Sequence, residues 1–387
     1  MKNNLPMTYI ELSRENLIHN FLEFRKLLKK GTEIAFAIKG NAYGHGQNEI
    51  AKIAESYVDY FFVNSLLELK LLRTVSKKKT FLFGYVEKKD LKDALKFDAI
   101  LAIFNKEQLL ELIDITNKQK KKIEIHIPVD SFLGREGFLE NEIVEILEII
   151  KQAKYLKLGG IYSHFANIED IRPDESFGRA HNFTHAQKQI KEYQKFLKVL
   201  AKYNFKNVKT HISATSGVLV YEKNKGINNI VRIGIGGYGL WPSPHIEFLY
   251  QNKFELKPVL AFKTKIAQIK TLPAGRTIGY GLTYMTTKET KIGILPVGYA
   301  DGLDRRYSNK GEVLINGTRC KILGRVSMNM TVIDLSNLEN VSIEDEVVII
   351  GKQGKEEITS EEIGEVIGTI NYEVTTRLSS ILPRVIK

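Results

Sequence analysis

Apolar residues recur through the first two-thirds of this chain in two alternating rhythms. Short unbroken runs, such as Ile34-Ala-Phe-Ala-Ile38, fit buried strands, and longer stretches with apolar residues three and four apart fit amphipathic helices. The short runs fall at 33–38, 60–64, 80–84, 99–104, 123–129, 159–163, 208–212 and 230–235. Helical spacing occupies 49–55, 66–75, 106–115, 141–151 and 186–202 between them. Eight such units predict a (β/α)₈ barrel, with a doubly wound sheet as the alternative that the regular count disfavours. Ahead of them, residues 8–12 predict a strand and 13–28 a helix with Ser13 as its N-cap.

The texture changes after Trp241-Pro-Ser-Pro244. Strand patterns at 259–269, 291–296, 312–315 and 346–350 alternate with turns at Pro273-Ala-Gly275, Asn316-Gly317 and Lys352-Gln-Gly354. A last helix is predicted at 360–367, before the terminal run. The expected organisation is therefore a barrel over 13–244 and a mainly-β domain over 245–387, with strand 1–12 packing on the β domain.

Composition narrows the class. In 387 residues, a 43% hydrophobic and 26% charged content is ordinary for a soluble globular chain. No apolar run reaches membrane-spanning length, and the N-terminus lacks the apolar core of a signal peptide. A single cysteine, Cys320, excludes an internal disulfide and fits a reducing cytoplasm. The net charge of +12 comes from 43 lysines and 14 arginines spread along the chain, with no basic stripe interleaved with aromatics. That distribution argues for a general lysine bias and against nucleic acid as a partner.

In a barrel, chemistry gathers where the strands end. The first strand runs into Lys39 and the stretch Gly40-Asn-Ala-Tyr-Gly-His-Gly46. A lysine there either snorkels to solvent or serves as an amine nucleophile whose proton is displaced by burial. The fifth strand precedes Asp130-Ser-Phe-Leu-Gly-Arg135, the sixth ends at Ser163-His164, the seventh at Ser213-Ala-Thr215, and the eighth carries Arg232, Gly234 and Ile235. Glycine amides beside hydroxyls suit a phosphate. The match of Gly234-Ile-Gly-Gly-Tyr-Gly239 to a dinucleotide fingerprint is weak, because Leu-Trp-Pro follows in place of a helix. His181 and His185 have zinc-like spacing but no companion glutamate, so no metal site is expected, and His126 and His211 read as satisfied interior residues.

Taken in order, Ala37-Ile-Lys39-Gly-Asn-Ala-Tyr43-Gly-His-Gly46, Gly160-Ile-Tyr-Ser-His164, Val231-Arg232-Ile-Gly-Ile235, Ile278-Gly-Tyr280-Gly, Pro296-Val-Gly-Tyr299-Ala-Asp-Gly302, Gly324-Arg-Val-Ser-Met328 and Thr369-Ile-Asn-Tyr372-Glu cover nearly the whole chain. This series resembles the bacterial alanine racemases, fold-type III enzymes that use pyridoxal 5′-phosphate. The resemblance implies that Lys39 forms a Schiff base with the cofactor and is one of two bases, the other being Tyr280 of the partner subunit in a homodimer. It implies a phosphate held by Tyr43, Thr215, Gly234, Ile235 and Tyr372, and Arg232 at the pyridine nitrogen. It also implies Arg135 at the phenolic oxygen and the substrate, and His164 bonded to Arg232 and to the partner's Tyr280. Tyr299 and the Met328 backbone would line the substrate approach from the second subunit. The expected reaction interconverts L- and D-alanine and supplies D-alanine for peptidoglycan. A racemase of serine or of a basic amino acid, or a noncatalytic cofactor-binding protein, are the alternatives.

The chain departs from the family pattern at several places. Pro128 stands where a lysine, commonly carbamylated, braces the arginine matching Arg135. Ala214, Thr215 and Asn329 replace asparagine, serine and aspartate, and Phe132-Leu133 replaces Gly-Met. Proline offers no anion, so Arg135 needs another brace: Asp130, a different carboxylate, water or a bound anion.

Overall fold

The computed structural model describes residues 5–168, 184–222 and 228–387. Its contacts divide the chain into two units: 17–40 with 50–257, and 1–16 with 41–49 and 258–387. The first strand in the chain, β1 (Tyr9–Leu12), belongs to the second of these.

The first unit is an eight-stranded parallel barrel. Its strands are β2 (Glu33–Ala37), β3 (Tyr60–Val63), β4 (Thr80–Leu82), β5 (Ala99–Ala102), β6 (Ile123–Pro128), β7 (Leu156–Tyr162), β8 (Lys209–His211) and β9 (Ile230–Ile233). They neighbour one another in the order β8-β7-β6-β5-β4-β3-β2-β9. A parallel bridge between Ala214 and Arg232 brings β9 back beside the end of β8, with Arg232 N donating to Ser213 O at 2.9 Å. Arg232 therefore sits at the seam of the barrel. All eight strands coincide with the apolar runs. Most stop a residue or two earlier, because the last apolar residues leave the strand while keeping one bond to it: Ile38 N donates to Phe62 O and Val129 N to Tyr162 O. Inside, Ala35, Tyr60, Phe81, Ile100 and Ile230 form a buried cluster. The ring of Tyr162 stacks on His211, with centroids 4.9 Å apart.

Helices follow most strands, as their spacing predicts. Helix Arg14–Leu27 has Asn16 N donating to Ser13 Oγ at 3.2 Å. Helix Leu66–Leu72 opens with a capping box between Ser65 and Glu68. The six-residue helix Leu91–Lys96 escapes sequence reading because one and a half turns carry too little periodicity to register.

In the second unit β1 pairs antiparallel with β10 (Leu260–Lys265) and parallel with β20 (Arg384–Ile386). The sequence pattern at 259–269 reads as one strand; the structure makes two. The chain leaves β10 at Ile266, whose N donates to Asp345 O, and enters β11 (Gln268–Leu272) at Ala267, whose N donates to Ile294 O. The period-two alternation of β10 ends here, since exposed Ala267 and Gln268 separate Ile266 from Ile269, a phase slip that the single-strand reading passed over. Next come β12 (Thr277–Ile278), β13 (Tyr284–Met285) and β14 (Thr290–Leu295). Strands β15 (Glu312–Ile315) and β16 (Thr318–Lys321) form a hairpin across Asn316-Gly317, whose φ values of 50° and 72° are those of a type I′ turn. Helix Ser360–Ile367 lies where expected, and a second helix, Asn371–Thr376, follows without a side-chain cap to announce it.

Three histidines, His45, His126 and His211, are buried and a fourth, His164, is half-buried, in a way that couples stability to pH. Burial lowers His45 to about 3 and holds His126, His164 and His211 below the ordinary 6.5. The unfolded chain binds protons at these positions below pH 6.5 while the folded chain does not. Stability is therefore complete above about 6.5 and declines as the pH falls toward the folded values. Each histidine contributes up to about 1.4 kcal/mol per pH unit in that window. Denaturant midpoints measured from pH 7.5 to 5 should fall steadily; a flat profile would contradict the neutral burial of these rings.

Candidate active site

Lys39 leaves β2 at the C-terminal end of the barrel. The strand beneath it is anchored by Tyr238 Oη, which donates to Ala37 O at 2.6 Å. Immediately after the lysine the backbone turns left-handed: φ is 60° at Gly40, 52° at Asn41, 54° at Ala42, 52° at Tyr43 and 84° at Gly44. Three of these residues carry a Cβ, at a cost of roughly 1–2 kcal/mol each. Strain of this kind clusters at functional sites. Two carbonyl or carboxyl acceptors hold the turn. Gly40 N donates to Glu68 Oε1 at 2.7 Å, and Gln47 N donates to Asn41 Oδ1 at 2.9 Å.

The Lys39 ammonium is crowded by the protein below it. Desolvation lowers its pKa from the ordinary lysine value, the Arg135 and Arg232 charges add to this, and Glu68 and Glu136 oppose it. Lys39 is nonetheless solvent-exposed at the barrel mouth of the single chain, as the snorkelling alternative also has it. The amine is poised to lose its proton more easily than a surface lysine.

Arg232 is buried at the barrel seam. Its Nη2 donates to Ile212 O at 2.9 Å and to Ser163 O at 2.5 Å, and lies 3.3 Å from His164 Nδ1. Its Nε has no acceptor among the described residues. Burial pushes its pKa down to about 10, so it remains a cation at neutral pH. Burial, then the Arg232 charge, pushes His164 well below 6.5. A neutral imidazole beside a guanidinium is the consequence. Behind them His126 Nδ1 and His211 Nε2 share a bond of 2.8 Å, while His126 Nε2 lies 3.6 Å from Glu124 Oε1 and His211 Nδ1 has no hydrogen-bond partner among the described residues. The expectation of two satisfied histidines thus holds for one nitrogen of each ring.

A cup of backbone amides lies nearby. Thr215 Oγ1 accepts from Gly234 N at 3.2 Å and from Gly236 N at 3.3 Å. A Cβ on Gly236 would fall 2.6 Å from both Phe24 Cζ and Thr215 Cγ2, so only glycine fits. The Gly234–Gly239 segment is a short 3₁₀ turn over Ile235–Tyr238, closed by Gly239 at φ 78°. It is a packing turn and an amide nest; no dinucleotide-binding helix follows it.

Arg135 meets Glu136. Its Nη2 donates to Glu136 Oε1 at 2.8 Å and its Nε to Glu136 Oε2. Asp130, the nearest acid in the sequence motif, is occupied elsewhere, accepting from Leu133 N at 2.8 Å and Gly134 N at 3.1 Å. Sequence reading did not single out Glu136; an acid next to the loop arginine was the available signal.

The remaining candidates lie in the β unit, in two groups. Tyr43 and Tyr372 approach each other with ring centroids 6.1 Å apart. The second group is built on tight backbone contacts. Tyr299 N donates to Ser327 O at 3.1 Å and Ala300 N to Met328 O at 3.0 Å, and a Cβ on Gly298 would lie 2.1 Å from Ser327 O. The Tyr280 loop reaches the same place, since a Cβ on Gly281 would lie 2.7 Å from Arg325 Nη1. Tyr280, Tyr299 and Met328 are 72%, 43% and 56% exposed, so this face of the β unit presents large apolar side chains outward. Among the described residues no group of three metal-ligating side chains occurs; His181 lies outside them, and His185 is 3.3 Å from Phe132 O.

Known proteins share this arrangement. The family described as alanine racemase, N-terminal domain, matches residues 12–242, and alanine racemase, C-terminal domain, matches 259–386. The chain is 36% identical over 382 residues to alanine racemase 1 of Caldanaerobacter subterraneus subsp. tengcongensis, covering 98% of this chain and 94% of that protein. It superposes with a TM-score of 0.90 on the alanine racemase of Bacillus anthracis with bound L-Ala-P, at 32% identity, over 99% of this chain and 95% of that one. A complex of the Clostridium difficile 630 alanine racemase with cycloserine gives a TM-score of 0.88 at 29% identity, over 99% and 96%. No helix among the described residues is long and apolar enough to cross a membrane. Because the two family models match 12–242 and 259–386 and a relative is 36% identical over nearly the whole length of both chains, this chain belongs to the alanine racemases.

Proposed function

We propose that this chain interconverts L- and D-alanine with pyridoxal 5′-phosphate, using Lys39 and the partner's Tyr280 as bases on opposite sides of the α carbon. The observation that carries the reading is the placement of Lys39 in a field that lowers its pKa, beside a buried Arg232 whose Nε is without an acceptor. Relatives and structural neighbours that bear the same name, one with L-Ala-P bound, support the substrate.

The residues fit the cofactor. An orphaned, buried N–H on Arg232 needs an acceptor, and the ring nitrogen of a pyridine is one. The Thr215 hydroxyl accepts from the Gly234 and Gly236 amides and keeps its own O–H to donate to a phosphate, and Ile235 belongs to the same turn by position. Tyr43 and Tyr372 bring two further hydroxyls, and their mutual approach supports assigning them together. When bound, pyridoxal phosphate supplies an aldehyde that captures the amine and a conjugated ring that acidifies the proton on the α carbon.

The protein's own groups handle that proton. Lys39 removes or returns it on one face, helped by desolvation and by the Arg135 charge, which favour the neutral amine. Tyr280 of the partner subunit does so on the other face. His164 is held neutral, so it can accept from Arg232 at Nδ1 and present its other nitrogen elsewhere. Arg232, a cation with a pKa of about 10, donates to its acceptor and does not release a proton to it near neutrality. Arg135 offers a guanidinium to the substrate, with the partner's Tyr299 and the partner's Met328 lining the approach.

The exposed Tyr280, Tyr299 and Met328 face supports a homodimer with shared sites, because a chain alone leaves these apolar groups in water. The single buried Cys320 supports a reducing cytoplasm, and D-alanine made there would serve peptidoglycan synthesis. A racemisation assay from either enantiomer, with serine, lysine and arginine as competitors, tests the reading. Alanine is expected to be the fastest substrate; faster turnover of another amino acid would reassign the specificity.

The amide cup gives a separate expectation. Thr215→Val keeps the shape and removes the hydroxyl that Gly234 and Gly236 address. Loss of one such contact, at about 1.4 kcal/mol, should raise the dissociation constant for pyridoxal phosphate roughly tenfold. Equilibrium dialysis of the cofactor measures it.

A further inference from the structure

The mouth of the barrel collects three cationic side chains, Lys39, Arg135 and Arg232, and two acids act on Lys39 there, Glu68 and Glu136. Glu68 is committed to backbone. Its oxygens accept from Gly40 N at 2.7 Å, Asn64 N at 2.7 Å and Ser65 N at 3.1 Å. Glu136 is the acid that meets a guanidinium, and it does so with both oxygens. The strand below ends in Pro128, which has no ionisable group, and Asp130 spends its carboxylate on the Leu133 and Gly134 amides.

The backbone around Glu136 is fixed. Phe138 N donates to Pro128 O at 3.0 Å and Asp130 N to Phe138 O at 3.1 Å, which closes the loop on itself. Gly137 at φ 129° permits the closure, since a Cβ there would lie 2.5 Å from Asp130 N. The pair is also asymmetric: the Arg135 side chain is 62% exposed and that of Glu136 only 20%. The acid is thus the enclosed member of the pair and the guanidinium the one open to solvent. A fork-to-fork contact restricts a planar guanidinium in both distance and tilt.

We propose that Glu136 is a positioning residue, which fixes the Arg135 guanidinium at the barrel mouth and supplies the negative charge that balances the cations around Lys39. The inference rests on the reading of Lys39 as the cofactor-bearing lysine only for its consequences in turnover. The charge balance itself is a property of the protein alone. Burial by itself would raise the Glu136 carboxyl, and the Arg135 guanidinium holds it below the ordinary range instead, so it is ionised at neutral pH. Glu136 and Glu68 raise the Lys39 pKa, while desolvation, Arg135 and Arg232 lower it.

The test is competitive labelling of the full-length, cofactor-free protein with trace acetic anhydride across pH, reading the Lys39 peptide by mass spectrometry. Glu136→Gln removes the anion, so the midpoint of Lys39 labelling should move down by about half a pH unit or more. Glu136→Asp keeps the charge and should move it less than half as far. Arg135→Gln removes a cation and should move it up, which keeps the proposal open to test if the glutamine variant at 136 does not fold. In the cofactor-loaded enzyme Glu136→Gln should raise KM for alanine roughly fivefold or more, with kcat changed less, because a loosened guanidinium weakens substrate holding. An unmoved labelling midpoint in a folded Glu136→Gln protein would overturn the proposal. If the midpoint moves but the wild type does not racemise alanine, the assigned function fails and the role of Glu136 stands.

Discussion

Lys39→Ala is expected to lower alanine racemisation by at least about 10³-fold in both directions, since it removes the cofactor anchor and one of two proton carriers together. The variant should still fold. Lys39 is the second residue past β2, the strand is held from below by the Tyr238–Ala37 bond, and the left-handed turn is held by Glu68 and Asn41 without using the lysine side chain. Borohydride treatment should fix the cofactor to the Lys39 peptide in the wild type and to no peptide in the variant. Retained activity above one-hundredth of wild type would mean that the amine crowded by Arg135 and Arg232 is a structural lysine.

Tyr280→Phe should cost about 10²–10⁴-fold in kcat/KM, the usual range for loss of a positioned acid–base group. The loss must be equal from L- and D-alanine, because two enantiomers have an equilibrium constant of one. Little structural damage is expected, since Tyr280 is 72% exposed in the single chain and its loop is set by the Gly281–Arg325 approach and not by its hydroxyl. A phenylalanine at this position keeps the apolar ring. Intact activity in Tyr280→Phe would leave the second face of the α carbon without its base.

The barrel was legible because most of its strands are dominated by buried apolar residues, as in β2, β3 and β5, even though β8 is Lys-Thr-His and β6 carries Glu124 and His126. The β unit was less so. The passage from β10 to β11 at Ile266-Ala267 leaves only a one-step slip in the alternation, from Ile266 to Ile269 across exposed Ala267 and Gln268, and the hydrogen-bond partners show that the sheet changes there. Among site residues, Lys39, Arg232, His164 and Thr215 could be named from strand ends, and the structure gathers them with Arg135 in the barrel unit. Tyr43 and Tyr372 are more than 300 positions apart in the chain, and their pairing depends on the backbone of 41–49 counting with the β unit, which no periodicity encodes. Glu136 escaped because its importance is relational. An acid beside an arginine is common, and it matters here because Pro128 is neutral and Asp130 is engaged by the loop.

The central claim is that Lys39 of one chain works with Tyr280 of the other, and mixed dimers test it most directly. Lys39→Ala and Tyr280→Phe proteins, each nearly inactive alone, are unfolded together, refolded in equal amounts and assayed. Half of the dimers should be mixed, and one of the two sites in each should have both residues intact, so about one quarter of wild-type activity should return. If the two residues served the same chain's site, every site in the mixture would lack one of them and no activity would be recovered.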